Sequence, residues 1–363
     1  LNSKLSKLIF AALVGLIVIA ALPYGTVEPW WKAAFVCVVF AICIVAIVES
    51  LRSSSTRVGE RSVLLPLLGV SVLAFVQTIP IGGDQIAGLP IWNAISADPY
   101  QTRFFVLQML ALTVCLALLY RYASTEKRIR ILVYTLIAVA VASAVFGILR
   151  QTTQQQTGFI LPLLKQNQGY GQFVNKNHFA FLMEMAFGLG LGLILGGGVR
   201  RDRLMIFVAL LLPIWTGLVL ANSRGGILAM LVQIVVAALL LLSFRATPFA
   251  LKAALIVILI AGVSLGTLWV GGDRLVSNFE AASSELNTPT TSDGASRNEI
   301  WRATLKMFAA NPILGVGFGG YWIAITAYHE ASGLMTPQEA HNDYLELLSS
   351  GGLIGFALGV WFV

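Results

Sequence analysis

Long apolar runs separated by short polar segments set the pattern of this chain. They fall at 5–22, 30–48, 63–79, 104–120, 129–149, 179–195, 204–221, 227–242, 251–270 and 343–363. Each is long enough, or nearly so, to cross a hydrocarbon layer of about 30 Å as a helix. The shortest is 227–242. Runs of this length do not suit the strands of a membrane barrel, and a helix is the other element that satisfies its own backbone in lipid. The pattern predicts an all-α polytopic integral membrane protein with ten visible transmembrane helices. Nine of these spans lie in 1–270, a large helical loop covers 271–342, and a tenth span covers 343–363.

Composition strengthens this picture: 57% of residues are hydrophobic and only 11% are charged. The charges give the bundle a direction. With the N-terminus inside, the inner segments carry Lys4, Lys7, Arg52, Arg57, Arg61, Arg121, Lys127, Arg128, Arg130, Arg200, Arg201, Arg203, Arg245 and Lys252, which is 14 of the 24 basic residues. The short outer loops are sparse by comparison. This is the positive-inside signature, and it places 271–342 outside. The net charge of +7 then reflects inner anchors rather than a nucleic-acid surface. The run at 5–22 follows two lysines, but no clean cleavage site closes it and nine more runs come after it, so it reads as an uncleaved first helix. Cys37, Cys43 and Cys115 lie within apolar runs, with neither metal-site nor disulfide-scaffold spacing.

Three outer stretches stand out. Residues 80–103 contain Pro80, Gly82, Gly83, Pro90 and Pro99 and read mostly as loop. Residues 150–178 end in Gly-Tyr-Gly-Gln-Phe-Val-Asn-Lys-Asn-His. Residues 271–342 are the one soluble region long enough to form a small subdomain. Within it, 277–296 is polar and reads as a mobile surface loop. From Arg297 to Phe308 the apolar positions Ile300, Trp301, Thr304, Leu305 and Phe308 repeat at helical spacing. Ser296 and Glu299 suit a capping box, and Asn311-Pro312 ends the helix. The glycine-rich run 315–320 predicts a tight, close-packed turn. It lacks the strand–helix context and the Lys-Ser/Thr ending of a nucleotide loop. A second short helix is predicted over 321–328.

The chemistry-bearing residues gather on this outer side. Arg224 sits between two spans in Ala221-Asn222-Ser223-Arg224-Gly225-Gly226. It reads either as a snorkelling arginine or as a phosphate clamp, with glycines giving a headgroup close access. Arg297 opens the amphipathic helix, where the helix dipole disfavours a cation. That conflict points to an anion-binding role, against the plainer reading of a solvated residue. Arg302 and Lys306 are competing basic residues further along the same helix. His341 stands just before the tenth span with Asn342, Asp343 and Glu346 nearby. A neutral imidazole there is able to take a proton from a hydroxyl, with a carboxylate orienting its other nitrogen. The plainer alternative is an interfacial or helix-capping histidine. His178 shapes the same face less directly. Asn175 and Asn177 suit sugar or pyrophosphate oxygens, or equally the local backbone. Glu184 is an acid within an apolar run and is expected to face the bundle interior. It is expected to pair with a basic group, to position His178, or to mark a cation-coupled transporter. No ligand set has metal-site spacing.

Three segments resemble the O-antigen ligase and polymerase superfamily of bacterial membrane proteins. One is Gly171-Gln172-Phe173-Val174-Asn175-Lys176-Asn177-His178-Phe179-Ala180. The second is Ser223-Arg224-Gly225-Gly226-Ile227-Leu228, similar to the family's arginine, three residues, leucine pattern. The third is His341-Asn342, nine intervening residues and then Gly352-Leu353-Ile354-Gly355, similar to the ligase pattern of histidine, polar residue and spaced glycines. Arg297 to Trp301, with Pro312 and Gly315-Val316-Gly317, looks like the family's large periplasmic loop. The ligase pattern is the nearer of the two.

The resemblance implies about twelve spans, so further C-terminal helices are expected beyond Val363. It implies a multi-pass protein of the bacterial inner membrane, with a cytoplasmic N-terminus and a periplasmic active site. It also implies a donor glycan on undecaprenyl diphosphate, transferred to lipid A–core by a ligase or to another lipid-linked glycan by a polymerase. Arg224 and Arg297 match the family's diphosphate-binding arginines and His341 its proposed base. The expected catalytic residues are therefore His341, Arg224 and Arg297, with Asn175, Asn177, His178 and Asn342 completing the substrate-binding set. The expected reaction is inverting and metal-independent, uses no cofactor, and has membrane lipid but no nucleic acid as a partner. A polysaccharide or lipid transporter is the alternative from another class, and a purely structural subunit the third.

Overall fold

A computed structural model describes residues 4–22, 24–53, 61–82, 85–86, 89–90, 93–153, 169–243, 297–329 and 336–363, with single helical positions at 257, 260 and 264. The helices in chain order are α1 (Lys4–Ala21), α2 (Pro29–Ser53), α3 (Arg61–Gln77), α4 (Pro99–Tyr122), α5 (Glu126–Thr153) and α6 (Lys176–Leu195). They continue with α7 (Leu204–Leu220), α8 (Arg224–Ser243), α9 (Arg297–Ala310), the short α10 (Tyr321–Ala324) and α11 (Asp343–Phe362). Six of these, α1, α2, α4, α5, α6 and α11, are long and apolar enough to cross a membrane, and α3, α7 and α8 carry shorter apolar cores. The chain is thus a multi-pass, all-α membrane protein. The expected spans at 5–22, 30–48, 104–120, 129–149, 179–195 and 343–363 fall on the six long helices, and those at 63–79, 204–221 and 227–242 on the three shorter ones. The expected span at 251–270, apart from three single positions, and the polar stretch 277–296 with the Ser296 cap lie outside the described residues.

Two compact units emerge. The first comprises Leu1–Phe10, Val36–Ser124 and Glu280–Val363, and the second Ala11–Phe35 and Thr125–Phe279. The second unit is built around α5 to α8. Phe179, Met183 and Phe187 of α6 pack with Ala140 and Ala144 of α5, Ile214 and Leu218 of α7, and Ile227, Met230 and Ile234 of α8. Small residues draw these helices together, as membrane packing favours. A side chain at Gly217 would press on Ala144 and Phe179, and one at Gly190 on Leu211.

In the first unit α3 lies against α4 and α11, sharing Val70, Leu73, Ala74, Val106 and Phe318. Phe105 and Phe318 stack with ring centroids 4.6 Å apart. A buried charge group ties α2 to α4: Glu49 Oε2 accepts from Arg121 at 3.4 Å and from the Tyr122 hydroxyl at 3.0 Å. Pairing is what makes an ion tolerable at such burial.

Two elements differ from the sequence reading. Residues 80–103 were expected to be mostly loop, yet α4 already starts at Pro99. Asp98 caps it by accepting from the Gln101 N–H at 3.0 Å, and proline suits a first helical turn because its missing N–H is not needed there. Short antiparallel ladders also pair Pro80–Gly82 with Asn93–Ala94, and Gln85–Ile86 with Leu89–Pro90. The second difference is in α11, read as one span but broken at Gly352, where φ is 62° and ψ −163°. The glycine-rich turn after α9 docks into the break. The Val316 and Gly317 N–H groups donate to the Ser349 and Ser350 carbonyls, and the Leu353 N–H donates to the Pro312 carbonyl. Gln77, wholly buried at the end of α3, clamps the same junction. Its amide donates to the Leu314 carbonyl at 2.6 Å and the Ser350 carbonyl at 2.9 Å, and its oxygen accepts from the Phe318 N–H at 3.2 Å. A helix break inside a membrane protein needs its freed backbone groups satisfied, and here loop and glutamine do it.

Candidate active site

Arg224, Asn175, Asn177 and His178 belong to the second unit, and Arg297, His341 and Asn342 to the first. Each group has its own local logic.

In the second unit a tight turn precedes α6, with Tyr170 and Phe173 exchanging backbone hydrogen bonds at 3.1 and 3.0 Å. Arg150 donates to the Gly171 carbonyl at 2.8 Å, and the Gln172 amide donates to Ser143 Oγ at 2.7 Å and to the Ala21 carbonyl at 3.2 Å. Burial pushes the Tyr170 phenol well above its ordinary range, with Arg150 acting weakly the other way. Asn175 then caps α6, its side chain accepting from the Asn177 N–H at 2.9 Å. Its carbonyl oxygen is therefore engaged with the backbone. Asn177 instead reaches the turn before α8, where its Oδ1 accepts from the Ser223 hydroxyl at 2.9 Å. That hydroxyl in turn accepts from the Gly226 N–H at 3.3 Å and caps α8. Asn222 turns the chain in a left-handed conformation (φ 54°), and Arg224 opens the helix directly after. His178 is exposed on α6, its ring stacked beside Phe181 with centroids 6.5 Å apart.

The two glycines after Arg224 were expected to open space for a headgroup together, and they divide that work. A side chain on Gly225 would meet nothing within 4 Å. One on Gly226 would come 2.8 Å from the Ala180 Cβ and 3.0 Å from Glu184 Oε1, so Gly226 serves close packing of α8 on α6. Glu184 does face the interior as expected. Its pairing with a base or with His178 is not observed: its buried Oε1 has no hydrogen-bond partner among the described residues.

In the first unit α9 and α10 make a small core with the segment before α11. Ile300, Ala303, Met307, Val316, Tyr321, Ile325 and Ala340 are buried together, with Trp301 and Tyr328 packed on them. The Tyr321 hydroxyl and Thr304 Oγ1 lie 2.7 Å apart. Burial, helped by the Glu346 charge and opposed by that hydrogen bond, pushes the Tyr321 phenol up to about 12. Arg297 opens α9 one helical turn before Trp301. The Trp301 indole N–H donates to the Ala340 carbonyl at 3.0 Å, so the Arg297 helix and the His341 segment are directly bonded.

His341 is exposed and holds a left-handed backbone, φ 52°, uncommon for a residue with a side chain. Asn342 caps α11, accepting from the Tyr344 and Leu345 N–H groups at 3.1 and 3.2 Å. A carboxylate was expected to orient the imidazole. Glu346 instead accepts from the Ala340 N–H at 3.0 Å, and no hydrogen bond reaches the His341 ring among the described residues. The reason is local: near a helix N-terminus a carboxylate competes for unbonded backbone donors, and the Ala340 amide is the one within reach.

Sequence reasoning did not single out Trp301 as a hydrogen-bond donor, nor Ser223 and Gln77. In the sequence Trp301 reads only as part of an apolar face, and Gln77 lies within the span expected at 63–79. The signal for Gln77 was a polar amide inside an apolar run, and for Trp301 the indole N–H that an apolar face leaves out of account.

No curated protein and no solved structure matched the chain. Residues 204–360 match the family model described as O-antigen ligase. The matched segment contains Arg224, Arg297, His341 and Asn342, while Asn175, Asn177 and His178 lie before it. On that match, this part of the chain is similar to the O-antigen ligase family.

Proposed function

We propose that this protein transfers a glycan from undecaprenyl diphosphate to a hydroxyl of lipid A–core oligosaccharide, at the periplasmic face of a bacterial inner membrane. One observation carries the reading. Arg224, Arg297 and His341 all fall within the ligase-matched segment, and the Arg297 helix is bonded through Trp301 to the residue preceding His341.

The donor's prenyl tail stays in lipid, and the resemblance assigns Arg224 and Arg297 to its diphosphate. Arginine suits this position because it stays charged beside lipid and offers a fixed fork of donors. The acceptor oxygen attacks the anomeric carbon opposite the leaving group. The new C–O bond forms as the bond to the phosphate oxygen breaks. The acceptor proton passes to the His341 imidazole as general base. The arginines stabilise charge growing on the departing undecaprenyl diphosphate. In-line attack gives inversion. The diphosphate bond already activates the sugar, so no nucleotide or other cofactor is required, and the arginines take the charge-neutralising role that a metal plays elsewhere. The basic segments at the expected inner ends of the spans support a cytoplasmic N-terminus and an outward-facing site.

The test is a reconstituted assay with a defined undecaprenyl-diphosphate glycan and two acceptors, read by mass spectrometry. Product on lipid A–core supports the ligase. Product only on a second lipid-linked glycan would make the protein a polymerase, and movement of the donor with its glycosidic bonds intact would make it a transporter. In the same assay Arg224→Ala and Arg297→Ala are each expected to lower turnover by roughly 30- to 1000-fold, equivalent to about 2–4 kcal/mol of transition-state stabilisation. Wild-type turnover in both variants would refute the diphosphate clamp, and an unchanged His341→Ala the base.

A further inference from the structure

We infer that Trp301 and Glu346 are positioning residues for His341, and that both act through the peptide groups of Ala340 rather than on the imidazole. The inference rests on the reading of His341 as the base. Ala340 is fully buried, and both of its backbone polar groups are held by side chains. Its N–H donates to Glu346 Oε2 at 3.0 Å, and its carbonyl accepts from the Trp301 indole N–H at 3.0 Å. On the other side of His341, the Asn342 side chain caps α11 through the Tyr344 and Leu345 N–H groups.

The residue between these anchors is the exposed one, and its left-handed backbone is held only while its neighbours are held. Pinning the peptides on both sides fixes the direction of the His341 Cα–Cβ bond. The residue is exposed, and no hydrogen bond reaches its ring among the described residues. Trp301 also stands one turn from Arg297 on α9. The same indole therefore sets the spacing between the helix that carries the arginine and the segment that carries the base. Catalysis is sensitive to such spacing, since a misplacement of about 1 Å costs on the order of 100-fold in rate.

The arrangement distinguishes two roles for Glu346. A carboxylate acting on the imidazole contributes its charge. A carboxylate acting on the Ala340 N–H contributes only an acceptor oxygen, which glutamine also offers.

The test uses the full chain in the reconstituted transfer assay, with Glu346→Gln, Glu346→Ala, Trp301→Phe and His341→Ala compared. Glu346→Gln is expected to keep kcat within about threefold of the parent and to leave the pH–rate profile unmoved, because the acceptor survives. Glu346→Ala and Trp301→Phe are each expected to lower kcat about tenfold or more while the donor KM changes less than about twofold. A shifted pH profile in Glu346→Gln, or a loss as large as that in Glu346→Ala, would overturn the proposal by showing that the charge acts on the ring. Parental kcat in both Glu346→Ala and Trp301→Phe would overturn it as well. If Glu346→Ala and Trp301→Phe do not fold, the Glu346→Gln profile decides alone. Parental turnover in His341→Ala would instead sink the base itself, and this inference with it, a result distinct from failure of the frame alone.

Discussion

The Ser223 hydroxyl makes two bonds at once, capping α8 through the Gly226 N–H and donating to Asn177 on α6. Loss of an N-cap costs about 0.5–2 kcal/mol, and the acceptor on the exposed Asn177 side chain can turn to water instead. Ser223→Ala is therefore expected to destabilise the second unit by about 1–2 kcal/mol. Thermal unfolding in detergent would show it as a drop in Tm, with Asn177→Ala giving a smaller one. At this scale Arg224, Arg297 and His341 stand out in the sequence by residue type and by their place between or just before apolar runs. The positioning residues were harder to see. Trp301 meets Ala340 across 39 positions of sequence, and hydropathy registers its ring rather than its N–H.

Among the elements, α11 gives the clearest lesson. Its apolar run reads as an unbroken span, yet the backbone at Gly352 takes a conformation essentially reserved for glycine. A side chain there would also collide with the Ile313 carbonyl oxygen. The spaced glycines after His341-Asn342 thus have structural work: Gly352 opens the helix so that the turn after α9 can bond into it, and Gly355 leaves room for Phe318. Gly352→Ala is expected to destabilise the first unit by about 3 kcal/mol or more, through strain and lost hydrogen bonds. Gly225→Ala, whose new methyl meets open space in a helix, is expected to leave stability unchanged or raise it by about 0.5–1 kcal/mol. Unfolding of the two purified variants side by side checks the contrast. Periodicity identified α9 and its stop at Asn311-Pro312, because an amphipathic face repeats locally. It gave no sign of the break in α11, because partners far along the chain stabilise it.

At the scale of the whole molecule the basic inner segments predict a sidedness that labelling can read. With Cys37, Cys43 and Cys115 replaced by alanine, Val174→Cys and Trp322→Cys are expected to react with an impermeant maleimide from outside. Ser124→Cys and Arg200→Cys are expected to react only after permeabilisation. Reaction in the opposite sense would reverse the orientation and remove the periplasmic site. The sequence alone determined the features set by local chemistry: that the chain spans a membrane as helices, where the described helices run, and which residue types stand where charge and hydrogen-bonding groups are few. These depend on run length, charge and residue type, all readable within a window of about 20 residues. The tertiary structure decided how those groups are held. It set the Asn177–Ser223 link beside Arg224, the Trp301 and Glu346 bonds around Ala340, and the Gln77 clamp on the broken helix. Each of these satisfies a backbone or hydroxyl group with a partner distant in sequence, and such pairing exists only once the chain has folded and water has left.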